Sequence, residues 1–142
     1  MKNRVFPMPQ VDDLLTKKIV GLAMKVHRTL GAGFLESIYR NALVIELRTA
    51  GIPFVCHPVL SVMYEGTEVG TFQADLIIED KLIVELKAVE VLSSVHATQL
   101  VNYLAATKIE NGLLLNFGAT SLEFRTKTLH YQKNQTPPDL HA

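Results

Sequence analysis

The chain first changes its hydrophobic period between Gly51 and Pro53, and that change restricts it to a mixed α/β architecture. Before it, Leu15, Ile19, Leu22, Val26 and Leu30 recur at intervals of three or four residues, the mark of one helix face. Asp12 or Asp13 is suited to cap this helix, and Gly31 to end it in a left-handed conformation. After the break Gly31-Ala-Gly33 a second helix is expected from near Phe34, with Leu35, Ile38, Ala42 and Ile45 as its buried stripe and Gly51 as its stop. Beyond Pro53 the apolar residues become β-branched and aromatic. Val55–Tyr64 reads as a strand, Glu65-Gly66 as a turn, Val69–Ile78 as the return strand, and Leu82–Val89 as a third. Ser93 or Ser94 then caps a helix over 95–107, with Leu100, Val101 and Leu104 as its core stripe. Gly112–Phe117 is a short strand buried on both faces, and 122–131 a weaker edge strand.

This order, α-α-β-β-β-α-β-β, predicts a single α/β (α+β) domain over residues 11–131. Its mixed sheet has four to five strands, an antiparallel meander flanked by helices. Residues 1–10 read as an extended arm and 132–142 as a loose tail.

Fourteen basic residues balance fourteen acidic ones. A nucleic-acid partner would therefore have to be attracted by a local basic patch or a bound metal rather than by net charge. The lone Cys56 cannot form an internal disulfide and, in its apolar run, reads as a small buried hydrophobe. No stretch reaches the ~20 apolar residues of a membrane span, and the first residues lack a signal-peptide core, so no membrane partner and a cytoplasmic location are expected.

The third strand, Leu82-Ile-Val-Glu85-Leu-Lys87-Ala-Val, places a carboxylate and an ammonium on one face of an otherwise apolar segment. Asp75 lies on the preceding strand. If Glu79-Asp80-Lys81 forms the loop, Asp75 stands opposite Glu85; a two-residue loop would put the acids on opposite faces. Two carboxylates ~5 Å apart repel by about 3 kcal/mol even at an effective dielectric of about 20. A divalent cation relieves that repulsion, and Mg²⁺ needs only one or two protein carboxylates. The plainer reading is a solvent-facing hairpin carrying a Glu–Lys surface pair.

Two further strings join these residues: Gly33-Phe-Leu-Glu36-Ser-Ile-Tyr39, a G-x-x-E-x-x-Y pattern, and Gln99-Leu-Val-Asn-Tyr103. With Val26-His27-Arg28 before them and Gly112-Leu-Leu-Leu-Asn116-Phe117-Gly118 after, the chain resembles the GxxExxY family of the PD-(D/E)XK nuclease superfamily over about residues 13–126. The resemblance implies a restriction-endonuclease-like core and metal-dependent phosphodiester hydrolysis of nucleic acid, DNA ahead of RNA. It implies Mg²⁺ or Mn²⁺ held by Asp75, Glu85 and the backbone carbonyl of Leu86, with Lys87 orienting the attacking water. Glu36 would supply a supporting acid, Gln99 and Tyr103 would hold the nucleic acid, and His27 would stand near the site. A homodimer is compatible with it. The pattern departs at Ala74, where the superfamily name has proline, and at Gln73, where a basic residue is expected.

Each supporting residue also has a structural reading. Glu36 would fall at the third helical position after a Gly33 cap, bonding back to the cap amide. Gln99 and Tyr103, four apart, would form a helix-surface pair, His27 a hydrogen-bonded core residue, and Tyr39 packing with a bonded hydroxyl. The remaining histidines have no zinc-ligand spacing with Cys56. Two alternatives to a nuclease stay open. One is a non-catalytic nucleic-acid- or partner-binding module on a retained nuclease fold; the other is a structural protein whose Asp75 and Glu85 point apart.

Overall fold

The computed structural model describes residues 10–129, with side chains from Leu14 onward. The expected arm and tail lie outside the described residues, apart from Gln10, which is already helical. Helix α1 spans Gln10–Leu30, α2 Glu36–Ala50 and α3 Ser94–Thr107. The strands are β1 Phe54–Cys56, β2 Val59–Tyr64, β3 Thr67–Gln73, β4 Leu76–Ile78, β5 Leu82–Lys87, β6 Asn111–Asn116 and β7 Glu123–Thr128. The architecture is the expected α+β domain, but five strands rather than three separate α2 from α3.

The two long strands expected before β5 are each broken. Pro58 cannot donate to a ladder and His57 adopts φ 57°, so the first strand divides into β1 and β2. Its partner bends at Ala74-Asp75, where the His57 N–H donates to the Asp75 carbonyl (2.9 Å) and the Ala74 N–H to the Pro58 carbonyl (3.2 Å). Gln73 braces the bend by donating its amide to the His57 carbonyl (3.2 Å). The result is a separate β2–β3 hairpin and a five-stranded sheet ordered β1-β4-β5-β6-β7. Only β5 and β6 are parallel, and α3 makes the crossover between them.

Alternation along the sheet sorts the core into two layers. Leu76, Ile78, Leu82, Val84, Leu86, Leu113, Leu115 and Phe117 meet α1 and α2 through Ile19, Ala23, Val26, Tyr39, Leu43 and Leu47. On the other face Ile77, Ile83 and Leu114 meet Leu100 and Leu104 of α3. Gly112 lets α3 sit close, since a Cβ there would stand 2.9 Å from Leu100 Cδ1. All six residues of β6 are buried, as a strand covered on both sides requires.

Several local expectations are corrected. The first helix is under way by Gln10, so Asp12 and Asp13 lie within it and not at its cap. On α2 the buried residues are Tyr39, Leu43, Val44 and Leu47, whereas Leu35, Ile38 and Ile45 are exposed. Tyr39 sets this rotation. Its hydroxyl donates to the Gly31 carbonyl (2.5 Å) and accepts the Phe34 N–H (3.1 Å), while its ring lies 4.7 Å from that of Phe117. The turn between α1 and α2 is thereby fastened to the core, and α2 must present its Tyr39 side inward. Cys56 is exposed, because β1 is a three-residue edge strand at the bend. Gly31 (φ 73°) and Gly51 (φ 71°) end α1 and α2 as expected, and Ser93 caps α3.

Replacing Tyr39 by phenylalanine leaves the ring in place but strips the Gly31 carbonyl and the Phe34 N–H of their partner. The expected loss is about 1–2 kcal/mol, read from the urea midpoint at unchanged m-value.

Candidate active site

The acids meet where β4 ends and β5 continues. The β4–β5 register pairs Leu76 with Val84, Ile77 with Ile83 and Ile78 with Leu82, around the loop Glu79-Asp80-Lys81. Carried one residue further, it sets Asp75 opposite Glu85. Asp75 has left the ladder at the bend, so two backbone donors are unpaired there and the acids take them. The Asp75 N–H donates to Glu85 Oε2 (3.0 Å) and the Leu86 N–H donates to Asp75 Oδ2 (2.8 Å). Both acids are more than nine-tenths buried. The solvent-facing hairpin and the structural protein with diverging acids do not describe this arrangement.

The Lys87 carbonyl accepts the Phe117 N–H on the β6 side of β5. Alternation along the strand therefore directs the N–H and carbonyl of Leu86 to the other side, toward Asp75. The Leu86 carbonyl thus points to the Asp75 side of β5.

Burial, and then the Asp75 carboxylate, push the Glu85 carboxyl from an ordinary 4.5 up to about 8, against the lowering effect of the Asp75 N–H and of Lys87. Glu36 is also raised, first by burial and then by Asp75. It is the first residue of α2, with Leu35 at the cap position and no side-chain capping bond, so the expected bond back to a Gly33 cap does not form. Its carboxylate instead belongs to the field of Asp75, Lys87 and Arg40.

Arg40 is the residue the sequence reading missed. Its Nη1 donates to Asp75 Oδ1 at 3.1 Å in an ion pair with both side chains largely buried. The available signal was spacing: Arg40 lies four residues after Glu36, on the same helix face.

Lys87 Nζ donates to Gln99 Oε1 at 3.4 Å, which joins the strand motif to α3. Tyr103 packs face to face with Phe72 of β3, ring centres 4.0 Å apart. Burial, then Glu85, then Asp75 raise its hydroxyl above the usual tyrosine value, while a hydrogen bond with Gln99 lowers it. Gln99 and Tyr103 thus face the acidic end of the sheet. An open hollow of about 480 Å³ extends from them along α3, lined also by Ser94, Val95, Thr98 and Asn102.

His27 is drawn elsewhere. Its Nε2 donates to the Ala119 carbonyl (3.0 Å) and its ring stacks near Phe117, which ties α1 to the loop after β6. Asn116, paired with Lys87 across β5–β6, is fully buried and fully bonded. Its Oδ1 accepts the Val89 and Gly118 amides, and its Nδ2 donates to the Val89 carbonyl and Glu123. This clamp fixes the chain as it leaves Lys87.

The donor set suits a hard cation. It consists of oxygens, two from buried and mutually repelling carboxylates and one from a carbonyl, with a third acid nearby. Mg²⁺ and Mn²⁺ favour such ligands and keep several waters. Among the described residues no three His, Cys, Asp or Glu side chains close around a metal position.

A family model described as the PD-(D/E)XK nuclease superfamily matches residues 13–128. The crystal structure of SSO0001 superposes with a TM-score of 0.52 at 18% identity, covering 65% of this chain. The chain spans about half the length of that protein, 48% of which is covered, and the likeness is one of fold. Among curated proteins there is no match.

Proposed function

Because the chain belongs to the PD-(D/E)XK nuclease superfamily, we propose that it is a metal-dependent phosphodiesterase acting on nucleic acid, DNA ahead of RNA, and a GxxExxY-type member of that superfamily. One observation carries the reading: Asp75 and Glu85 are locked together at a break in the sheet, and both are buried.

Asp75, Glu85 and the Leu86 carbonyl would hold Mg²⁺ or Mn²⁺, with Glu36 in support. When bound, the ion supplies a water of lowered pKa and neutralises charge gathering on the phosphate. Lys87 orients the attacking water, and Gln99 holds the ammonium in place. Tyr103, backed by Phe72, offers a hydroxyl and a ring edge to the nucleic acid entering along α3. Arg40 balances Asp75 and fixes its rotamer. His27 acts at a distance, holding the loop at Ala119.

A second reading rests on the same Arg40 contact. An Asp75 already paired with a guanidinium, beside a Glu85 that keeps its proton at neutral pH, also suits a non-catalytic binding module on a retained nuclease fold. Titration of Mg²⁺ and Mn²⁺ into wild type and Asp75→Ala, with cleavage assays on single- and double-stranded DNA and RNA, separates the two. The nuclease reading expects metal binding and cleavage in wild type and a loss of at least about 100-fold in cleavage in the variant. Metal binding without cleavage of any substrate supports the module. Light scattering on the same samples tests the homodimer.

A further inference from the structure

Beyond Asp12 and Asp13 in its first turn, α1 segregates charge. Between Leu14 and Leu30 it carries Lys17, Lys18, Lys25 and Arg28 and no acidic residue, in a chain whose charges balance overall. All four cationic residues are exposed. With successive residues about 100° apart around the axis, all four project within about 60° of Gly21. Gly21 therefore sits at the centre of the exposed face, one turn after Lys17 and Lys18 and one to two turns before Lys25 and Arg28.

The fold gives no reason for that glycine. Its backbone is helical, without a positive φ, and a Cβ built there would meet nothing within 4 Å. Glycine is among the residues least suited to a helix interior. A missing side chain at the centre of a cationic face leaves a saddle, about 15 Å from Lys18 to Arg28, into which a second molecule can settle between long basic side chains. Lys25 is partly committed, since its Nζ lies 3.1 Å from Glu46 of α2, yet its side chain remains 59% exposed.

The saddle also runs toward the candidate site. His27, in the last turn of α1, is bonded to Ala119, three residues beyond Asn116, and Asn116 pairs with Lys87. Arg28 is therefore carried at the end of the sheet where the acids lie.

We infer that the exposed face of α1, centred on Gly21 and flanked by Lys18, Lys25 and Arg28, binds the phosphate backbone of a nucleic acid outside the hydrolytic site. This rests on the proposed function for its choice of polyanion. It explains how a chain of zero net charge gathers such a substrate: the attraction is local, through sequence-independent contacts that release counterions.

The test uses the full chain and a fluorescein-labelled 20-base-pair DNA in Ca²⁺, over a range of salt. Lys18→Gln/Arg28→Gln should weaken binding about tenfold at 0.15 M salt and lower the slope of log K against log salt by about two. Gly21→Leu should weaken binding comparably, while Gly21→Ala should raise the Tm by about 3 °C and weaken binding least. Calorimetric Mn²⁺ affinity should be unchanged in all three variants. Wild-type affinity and slope in the double variant would overturn the inference. So would binding to phosphatidylserine vesicles that the same substitutions abolish while DNA binding stands. If wild type neither binds Mn²⁺ nor cleaves DNA but the slope still falls by about two, the proposed hydrolysis fails and this surface stands.

Discussion

The metal-free protein should lose about 3–5 kcal/mol of stability between pH 5 and pH 8 through Glu85 alone. In the unfolded chain this carboxyl ionises near its ordinary 4.5; in the fold it keeps its proton to about 8. Between these values the folded state binds a proton that the unfolded state has released, so stability falls as pH rises. Below the window both states are protonated, and above it both are ionised with the whole penalty in place. Urea unfolding in EDTA at half-unit pH intervals measures the slope. Glu85→Gln should be flatter across the window and more stable than wild type at pH 8, because the amide never takes the charge. Saturating Mn²⁺ should restore wild type at pH 8 and leave Glu85→Gln little changed, since a ligand that binds only the folded state adds stability by mass action. A wild-type profile that rises from pH 5 to 8 and matches that of Glu85→Gln would contradict the burial and repulsion assigned to the pair.

Gly118→Ala should be among the most damaging single substitutions in the domain, costing at least about 3 kcal/mol. A Cβ at this position would lie 2.3 Å from the Val89 carbonyl oxygen and 2.4 Å from its nitrogen. These are backbone atoms, and both are already held by Asn116. Neither side can move aside without opening the Asn116 clamp. The clamp fixes the exit of β5 two residues after Lys87, so the damage should reach the site as well. The check is the guanidinium midpoint together with Mn²⁺ affinity, and both should fall. Gly21→Ala serves as the contrast, because open space surrounds that position. A Gly118→Ala protein with wild-type midpoint would show that the two segments are less tightly pressed than their spacing implies.

The fold was legible where one period ran uninterrupted. The α1 stripe, the stops at Gly31 and Gly51, the buried β6 and the Ser93 cap follow from local residue chemistry, and the β4–β5 register follows from a three-residue loop between apolar runs. Local pattern failed where a contact distant in sequence decided the matter. The rotation of α2 depends on the Tyr39 hydroxyl reaching Gly31 and its ring reaching Phe117. Leu35, Ile38 and Ile45 have the right spacing for a core stripe but lie on the wrong side of that anchor.

The division of the hairpin was readable from Pro58, which should have ended any strand through it. Its consequence was not readable: only at the bend does Asp75 lose its ladder partner and turn to Glu85 and Leu86. Within the site, Asp75, Glu85, Lys87, Gln99 and Tyr103 are brought together at one end of the sheet, whereas His27, at the same end, bonds the Ala119 carbonyl instead of joining them. Arg40 escaped notice because nothing in its own segment distinguishes it from a solvent-facing helix residue. Its role appears only when α2 lies against the bend.

The central claim is that Asp75 and Glu85 together form a seat for one hard divalent cation. Calorimetric titration of Mn²⁺ at pH 7 in two buffers of different ionisation enthalpy tests it directly. One site should bind with release of nearly one proton, because the ion displaces the proton that Glu85 otherwise keeps. In Glu85→Gln that proton should be absent and the affinity at least about tenfold weaker. No binding heat in wild type, or binding of equal strength and proton count in both proteins, would contradict the claim.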